Sequence, residues 1–315
     1  MFSYRHAFHA GNHADVLKHT VLIATLDHLL EKEAALTVVD THAGAGLYRL
    51  DGDYAGTSGE AAEGILRLLA PKPAPATVSP ARVATKKIAK PVDATLAPAL
   101  QRYLDVVRAF NPNGGARVYP GSPFITQHLL REHDKLKLFE LHPTDSRTLD
   151  ANIAQLEAGR QIAVLREDGF GSATKFLPPP SRRALVLMDP SYEIKSDYAR
   201  VLDFMAEALK RFATGTYAIW YPIIPRPEAH DLPRRLKTMA TKAGKPWLHA
   251  TLTVKSSKLL TTDSGETKRP GLPASGMFLI NPPYTLKGLL QPALEQAKDL
   301  LAQDRHAAFS LDNGG

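Results

Sequence analysis

Apolar residues recur along this chain in short uninterrupted runs, each closed by polar or turn-forming residues. We read strands over LTVVD (36–40), LKLFEL (136–141), IAVLRED (162–168), ALVLMDP (184–190), TYAIWYPI (216–223), HATLTV (249–254) and GMFLIN (276–281). Between them the apolar period lengthens to that of a helix. In DSRTLDANIAQLEAG (145–159) and YARVLDFMAEALKRFA (198–213) it does so clearly, the second placing Val201, Leu202, Met205, Ala208, Leu209 and Phe212 on one face. DVLKHTVLIATLDHLL (15–30) reads as a further, amphipathic helix, and LKGLLQPALEQAKDLL (286–301) as a late one. Continuous apolar strands alternating with helices predict an α/β chain whose mostly parallel sheet is covered on both faces. Seven strands, ending in a hairpin-like pair, suit a Rossmann-like sheet.

One interval breaks this rhythm. Almost a hundred residues separate the first two strands. Within it lies PKPAPATVSPARVATKKIAKPVDATLAP (71–98), rich in Pro, Ala and Lys and poor in periodic apolar positions. Helical patterns flank it at 59–70 and 97–110. We therefore expect a main domain formed by 1–46 and 118–315, with 47–117 an inserted helical subdomain carrying a flexible basic Pro/Ala/Lys loop. Pro120, Gly121 and Ser122 lead into the delayed crossover helix.

With 315 residues, 44% hydrophobic and 23% charged, the chain is long enough to bury a sizeable core. It has no cysteine, which excludes disulfides and thiolate metal sites and fits a reducing compartment. No stretch approaches the roughly 18 apolar residues of a membrane helix, and the N-terminus lacks a signal-peptide core. A cytoplasmic location is expected. The net charge of +7 is unevenly placed, with +4 in residues 47–120, +6 in 226–270 and −3 in the remainder. Two basic segments on a slightly acidic body point to a polyanionic partner; the plainer reading is a pair of solvated lysine-rich loops.

The strand ends carry the candidate chemistry. VVDTHAGAG (38–46) runs from a strand through an acid into Gly44-x-Gly46. Glycines there permit a sharp turn and close approach of a ligand, at the end of an open sheet where ligands bind. The NAD fingerprint is not met, since Arg49 stands where its third glycine belongs. LFELHP puts Glu140 at the second strand end, suited to a ribose diol. LREDGF puts Asp168 and Gly169 at the third, suited to an adenine edge. Taken singly, the Gly-x-Gly is also read as a plain tight turn, and each acid as a helix cap or solvated loop residue. Together, three acidic strand ends suit a nucleoside cofactor bearing positive charge, as S-adenosylmethionine does.

MDPSYE closes the fourth strand. Adenine's amino group is a poor nucleophile because its lone pair is delocalised into the ring. The side chain of Asp189 and the carbonyl of Pro190 offer acceptors for both N–H bonds, which favours a pyramidal nitrogen. Tyr192 offers a ring on which to stack an extruded base. Amino-methyltransferases carry Asp, Asn or Ser followed by Pro-Pro and an aromatic; here Ser191 replaces the second proline. NPPY (281–284) matches that signature more literally, but it ends the last strand read here, which is expected to lie nearer a sheet edge. Asp189 is therefore expected to be the reaction centre, with Tyr284 at most a wall of the pocket.

YRHAFHAGNHADVLKH (4–19), DTHAGAG (40–46), YPGSP (119–123), FELHP (139–143), EDGF (167–170) and DPSYE (189–193) resemble, together and along nearly the whole chain, the bacterial 23S ribosomal RNA large-subunit methyltransferase J family. The resemblance implies a Rossmann-like S-adenosylmethionine-dependent methyltransferase fold with a small helical insertion after the first strand, and N6 methylation of one adenine in 23S rRNA. It also implies that His19, His42, Ser122, Glu140, Asp168 and Gly169 bind S-adenosylmethionine, beside Gly44 of the glycine loop read above, that Asp189 is the catalytic acceptor, and that Tyr4 lies near the substrate adenine. The Pro/Ala/Lys stretch is longer than the resemblance requires. We expect no metal, since no carboxylate pair or cysteine completes a site around His6, His9, His13 and His19. Trp220 and Trp247 are expected to pack in the core. A monomer is expected, with 23S rRNA as partner and no membrane. Competing readings are a methyltransferase of DNA adenine, of protein glutamine or of another amine, a non-catalytic RNA-binding protein, and an NAD-dependent oxidoreductase.

Overall fold

The computed structural model describes residues 6–51, 59–70, 95–258, 260–261, 267–268 and 271–315. Its strands are β1 (Thr37–Asp40), β2 (Leu47–Arg49), β3 (Val118–Pro120), β4 (Lys135–Phe139), β5 (Ile162–Leu165), β6 (Ala184–Met188), β7 (Thr216–Ile223), β8 (Trp247–Thr253), β9 (Leu260–Thr261), β10 (Thr267–Lys268), β11 (Ala274–Ile280) and β12 (Ala308–Gly314). The helices are α1 (His13–Leu30), α2 (Ile65–Leu69), α3 (Pro98–Ala109), α4 (Ser122–Leu129), α5 (Pro143–Ala154), α6 (Gly169–Ser172), α7 (Ser196–Arg211), α8 (Pro227–Lys242) and α9 (Leu286–Leu301).

Eight strands form the main sheet in the order β12-β8-β11-β7-β6-β1-β4-β5. β7, β6, β1, β4 and β5 run parallel, while β11, β8 and β12 add on antiparallel. All seven expected strands are present, and β12 is an eighth. β1 lies between β4 and β6, so the chain winds outward in two directions from it. The carboxyl ends of β1 and β6 therefore flank the topological switch point, where open α/β sheets bind ligands.

Alternation along the strands divides the interior into two cores. Val38, Leu136, Leu138, Leu185 and Leu187 face a layer containing α1, α3 and α9. Val39, Phe139, Val186, Met188, Ile219 and Phe278 face α7 and α8. Trp247 is buried in the second core, and Trp220 packs against both.

α1 differs from its expected form. Every residue from His13 to Leu26 is buried, polar ones included, so the helix has no solvent face over that length. The sheet lies on one side of it and α3, α4 and α9 surround the rest. Asn12 starts it, its side chain accepting from the amides of Ala14 and Asp15. The stretch 47–117 opens with β2 and is followed by β3, and these two pair antiparallel. In between, α3 buries Leu100, Tyr103, Leu104 and Val107 in the same core as α1. The expected helix over 59–70 is reduced to Ile65–Leu69. The Pro/Ala/Lys segment 71–94, including Lys86, Lys87 and Lys90, lies outside the described residues, as does Tyr4.

Candidate active site

At the end of β1 the chain turns through Thr41–Gly46. Gly44 has φ +61°, a left-handed conformation, and a Cβ there would meet the Tyr48 hydroxyl at 2.3 Å. In that conformation its amide donates to Glu140 Oε2 at 2.8 Å. The His142 amide donates to Glu140 Oε1 at 2.6 Å. One carboxylate thus clasps the β1 and β4 ends together, and burial raises its pKa above the ordinary glutamate value. The Ser122 hydroxyl donates to Asp40 Oδ2 at 2.6 Å. Asp40 is buried, which pushes its pKa up to about 6.

The β5 end joins this cluster. Asp168 accepts from the Phe170 amide, capping α6, and pairs with Arg200. The Arg200 guanidinium lies 4.3 Å from the Phe170 ring centre, and the His42 ring meets the same phenyl at 4.8 Å. A Cβ on Gly169 would sit 2.1 Å from the Thr41 carbonyl oxygen, so only glycine lets these two strand ends approach so closely.

The other wall is built by α1 against the end of β6. Lys18 Nζ lies 2.5 Å from Asp189 Oδ2 and 2.8 Å from Asp15 Oδ1. Asp15 Oδ2 also takes His6 Nε2 at 3.0 Å and the Gly11 amide at 2.8 Å. Burial alone would lower Lys18, but Asp15 and Asp189 outweigh it and hold its pKa above the ordinary lysine value. Burial would likewise raise Asp15, yet His6 and Lys18 hold it well below the carboxylate range. His19 Nδ1 bonds to the Tyr119 hydroxyl at 2.7 Å, and that hydroxyl meets the one of Tyr103 at 3.1 Å. His19 Nε2 is buried with no hydrogen-bond partner among the described residues.

Burial pushes the His19 pKa down to about 3 from an ordinary 6.5. Between those values an unfolded chain binds a proton that the folded chain refuses. The stability contributed by neutral His19 is therefore intact above pH 6.5 and is lost as pH falls toward 3. His19→Asn is expected to flatten the dependence of unfolding free energy on pH, between about 6 and 4, by roughly 1.4 kcal/mol per pH unit. Urea titrations at several pH values measure this; an unchanged slope shows that His19 is not refusing the proton.

The two walls enclose a cavity of about 190 Å³. His19, His42, Gly44, Ser122, Glu140, Asp168 and Gly169 all line it, as do Asp189 and Pro190. Asp15, Lys18 and Arg200 were not singled out from the sequence. A signal was present: Asp15, Lys18 and His19 share one stripe of an otherwise apolar helix, which argues against simple core packing.

Three expectations change. Tyr192 does not line the cavity; it has φ +53°, is 2% exposed, and packs within the core at a tilt against Tyr198 and Trp220. Its hydroxyl donates to the Trp220 carbonyl at 2.7 Å, so in this structure it offers no ring to a base. Asn281 is remote from the site, though not because its strand is near an edge. β11 is interior but antiparallel, so its end lies at the opposite end of the sheet, where Thr216 at the start of β7 donates to the Asn281 carbonyl. The Asn281 amide group donates to the carbonyls of Ala213 and Gly215. Tyr284, 88% exposed against His28 at that same end, walls no pocket.

The charges at the cavity identify the sort of ligand it suits. Glu140, Asp145, Glu167, Asp168, Asp189, Glu193 and Asp197 line it, against Lys18 and Arg200. Such an excess of carboxylates disfavours a pyrophosphate and favours a cation. S-Adenosylmethionine fits, since it carries a sulfonium, a diol for a carboxylate at Glu140, and an adenine for the Asp168–Phe170 turn. The unpartnered His19 Nε2 is a further group available to it.

A family model described as "Ribosomal RNA large subunit methyltransferase D, RlmJ" matches residues 33–93 and 84–311 of the chain. The curated protein "Ribosomal RNA large subunit methyltransferase J" of Escherichia coli strain K12 is 41% identical over 312 residues, covering 98% of both chains. The Haemophilus influenzae protein of the same name is 36% identical over 313 residues, covering 99% of this chain and 98% of its own. Among solved structures, protein LPL1258 from Legionella pneumophila superposes with a TM-score of 0.77 at 28% identity, covering 97% of this chain and 98% of that one.

Proposed function

The chain belongs to the ribosomal RNA large subunit methyltransferase J family, and on that premise we infer that it transfers a methyl group from S-adenosylmethionine to the N6 amine of one adenine in 23S rRNA. The observation that carries this reading is the facing of Asp189 and Pro190, across one cavity, by the glycine loop after β1 and the acidic ends of β4 and β5. When bound, S-adenosylmethionine supplies an electrophilic methyl carbon on a sulfonium sulfur. Glu140 receives the ribose hydroxyls, the Asp168–Gly169 turn receives the adenine, and Gly44, His42, Ser122 and His19 line the remainder of that half. On the substrate side, Asp189 and the Pro190 carbonyl accept the two N–H bonds of the target amine. That holds the nitrogen pyramidal with its lone pair directed at the methyl group. Lys18, anchored by Asp15, fixes the Asp189 carboxylate. Tyr4 is assigned to the adenine's surroundings. The protein is taken to act as a monomer, in the cytoplasm where ribosomes are made, without a metal, and with 47–117 as an insertion into the methyltransferase domain.

The direct test is 23S rRNA from a strain lacking the protein, incubated with purified protein and radiolabelled cofactor. Label is expected in N6-methyladenosine at one position. Label in another nucleoside, or none, overturns the assignment.

The basic segments 72–90 and 234–269 are proposed to hold RNA phosphates. Affinity is then expected to fall steeply with salt, and charge reversal at Lys86, Lys87 and Lys90 to flatten the slope by about one unit for each phosphate no longer held. Binding isotherms at four salt concentrations measure it. Identical slopes would make the Pro/Ala/Lys stretch a solvated linker.

A further inference from the structure

An adenine stacked in RNA must leave its stack before its amine can enter a cavity between strand ends, and leaving it costs stacking and pairing energy. Proteins that open stacks fill the resulting gaps with apolar side chains, isoleucine among them. Tyr192 points into the core and supplies no such surface. Two residues later the chain does supply one. Ile194 is 63% exposed and stands on the rim of the cavity.

Among the described residues only four other large hydrophobic side chains are exposed, and of these only Tyr284 more so than Ile194. Tyr284 lies at the opposite end of the sheet, and Leu289 and Leu300 lie on α9. Leu141 shares the rim but follows Glu140, on the cofactor half. Ile194 alone belongs to the loop that carries Asp189 and Pro190.

Its backbone is fixed while its side chain is not covered. On one side Tyr192 is locked into the core, and Arg226 donates to the Tyr192 carbonyl at 3.0 Å. On the other, the Ile194 carbonyl accepts from the Asp197 amide at 3.0 Å at the start of α7. A β-branched side chain is stiff at χ1, so it loses little rotamer freedom on insertion. The neighbouring Lys195 ammonium is exposed, 3.8 Å from Glu228.

Resting on the reading above that the substrate is an adenine in RNA, we propose that Ile194 is the wedge that enters the stack vacated by the target adenine and holds it open during transfer. It touches the RNA bases flanking the gap and none of the reacting atoms.

Two RNA hairpins carrying the mapped adenine test it, one with the adenine paired to uridine and one with it facing an abasic site, where extrusion costs little. The ratio of single-turnover rates, paired over abasic, is expected to fall about tenfold in Ile194→Ala and to stay within about twofold of the wild type in Ile194→Phe, which still fills a gap. Fluorescence of 2-aminopurine at the target position, with S-adenosylhomocysteine bound, is expected to show less unstacking in Ile194→Ala on the paired hairpin. A ratio in Ile194→Ala equal to that of the wild type, whether both rates fall or neither does, overturns the wedge while leaving the adenine assignment standing. Wild-type protein that places no label in adenine N6 overturns the assignment, and the wedge with it.

Discussion

Asp189→Ala is expected to slow methyl transfer about 100-fold or more, the scale of removing one preorganised electrostatic interaction at a reacting group. Affinity for S-adenosylmethionine should change little, because the clasp formed by Glu140, Gly44 and His142 lies on the other wall. The fold should survive, since Lys18 keeps Asp15 at 2.8 Å after its second carboxylate is removed. Asn281→Ala makes the contrast. Its amide holds the carbonyls of Ala213 and Gly215 at the far end of the sheet, so its loss should cost about 1–3 kcal/mol of stability and little rate. Single-turnover assays with radiolabelled cofactor and 23S rRNA, beside urea titrations, separate the two. Transfer retained by Asp189→Ala and abolished by Asn281→Ala would move the reaction centre to the other end of the sheet.

Glu140→Ala should weaken S-adenosylmethionine binding by about 1–3 kcal/mol, roughly 5- to 150-fold in dissociation constant. Two losses combine. The ribose hydroxyls lose a charged acceptor, and the amides of Gly44 and His142 lose the carboxylate that fixes the glycine loop. The rate at saturating cofactor should fall less than the affinity. Calorimetry with S-adenosylhomocysteine gives the constant, and a value equal to that of the wild type removes Glu140 from the cofactor site.

What could be read from the sequence follows from what each element buries. β1, β6, β7 and β11 are covered on both faces, so their apolar runs were plain. β12 is an edge strand of mixed polarity, AFSLDNG, and carries no such run. α8, PEAHDLPRRLKTMATK, has a proline inside it and a strongly polar outer face. α1 looked amphipathic because polar residues recur along it, but those residues are buried against Asp189 and Tyr119 rather than in water. That Gly44, Glu140 and Asp168 converge on one cavity was legible, because each stands at the end of an apolar run and the ends of neighbouring parallel strands meet. The choice between Asp189 and Asn281 was not written in the motif, which favours Asn281 literally. What separates the two strand ends is strand direction, a property of the whole sheet. The inward turn of Tyr192 depends on a left-handed backbone that no residue type in DPSY demands.

The burial of Lys18 and Asp15 within α1 has a consequence for how the chain comes off the ribosome. The partner that completes this charged pair, Asp189, is made 171 residues after Lys18. β1 is in the same position, since its neighbours begin at Lys135 and Ala184. α1 and β1 lie at the centre of the finished molecule, and the strands that flank β1 are made about a hundred and about 150 residues after it. Contacts this distant in sequence form slowly, and apolar surface left waiting invites aggregation. The residues of α1 and β1 are therefore enclosed only once β6, far along the chain, has been made.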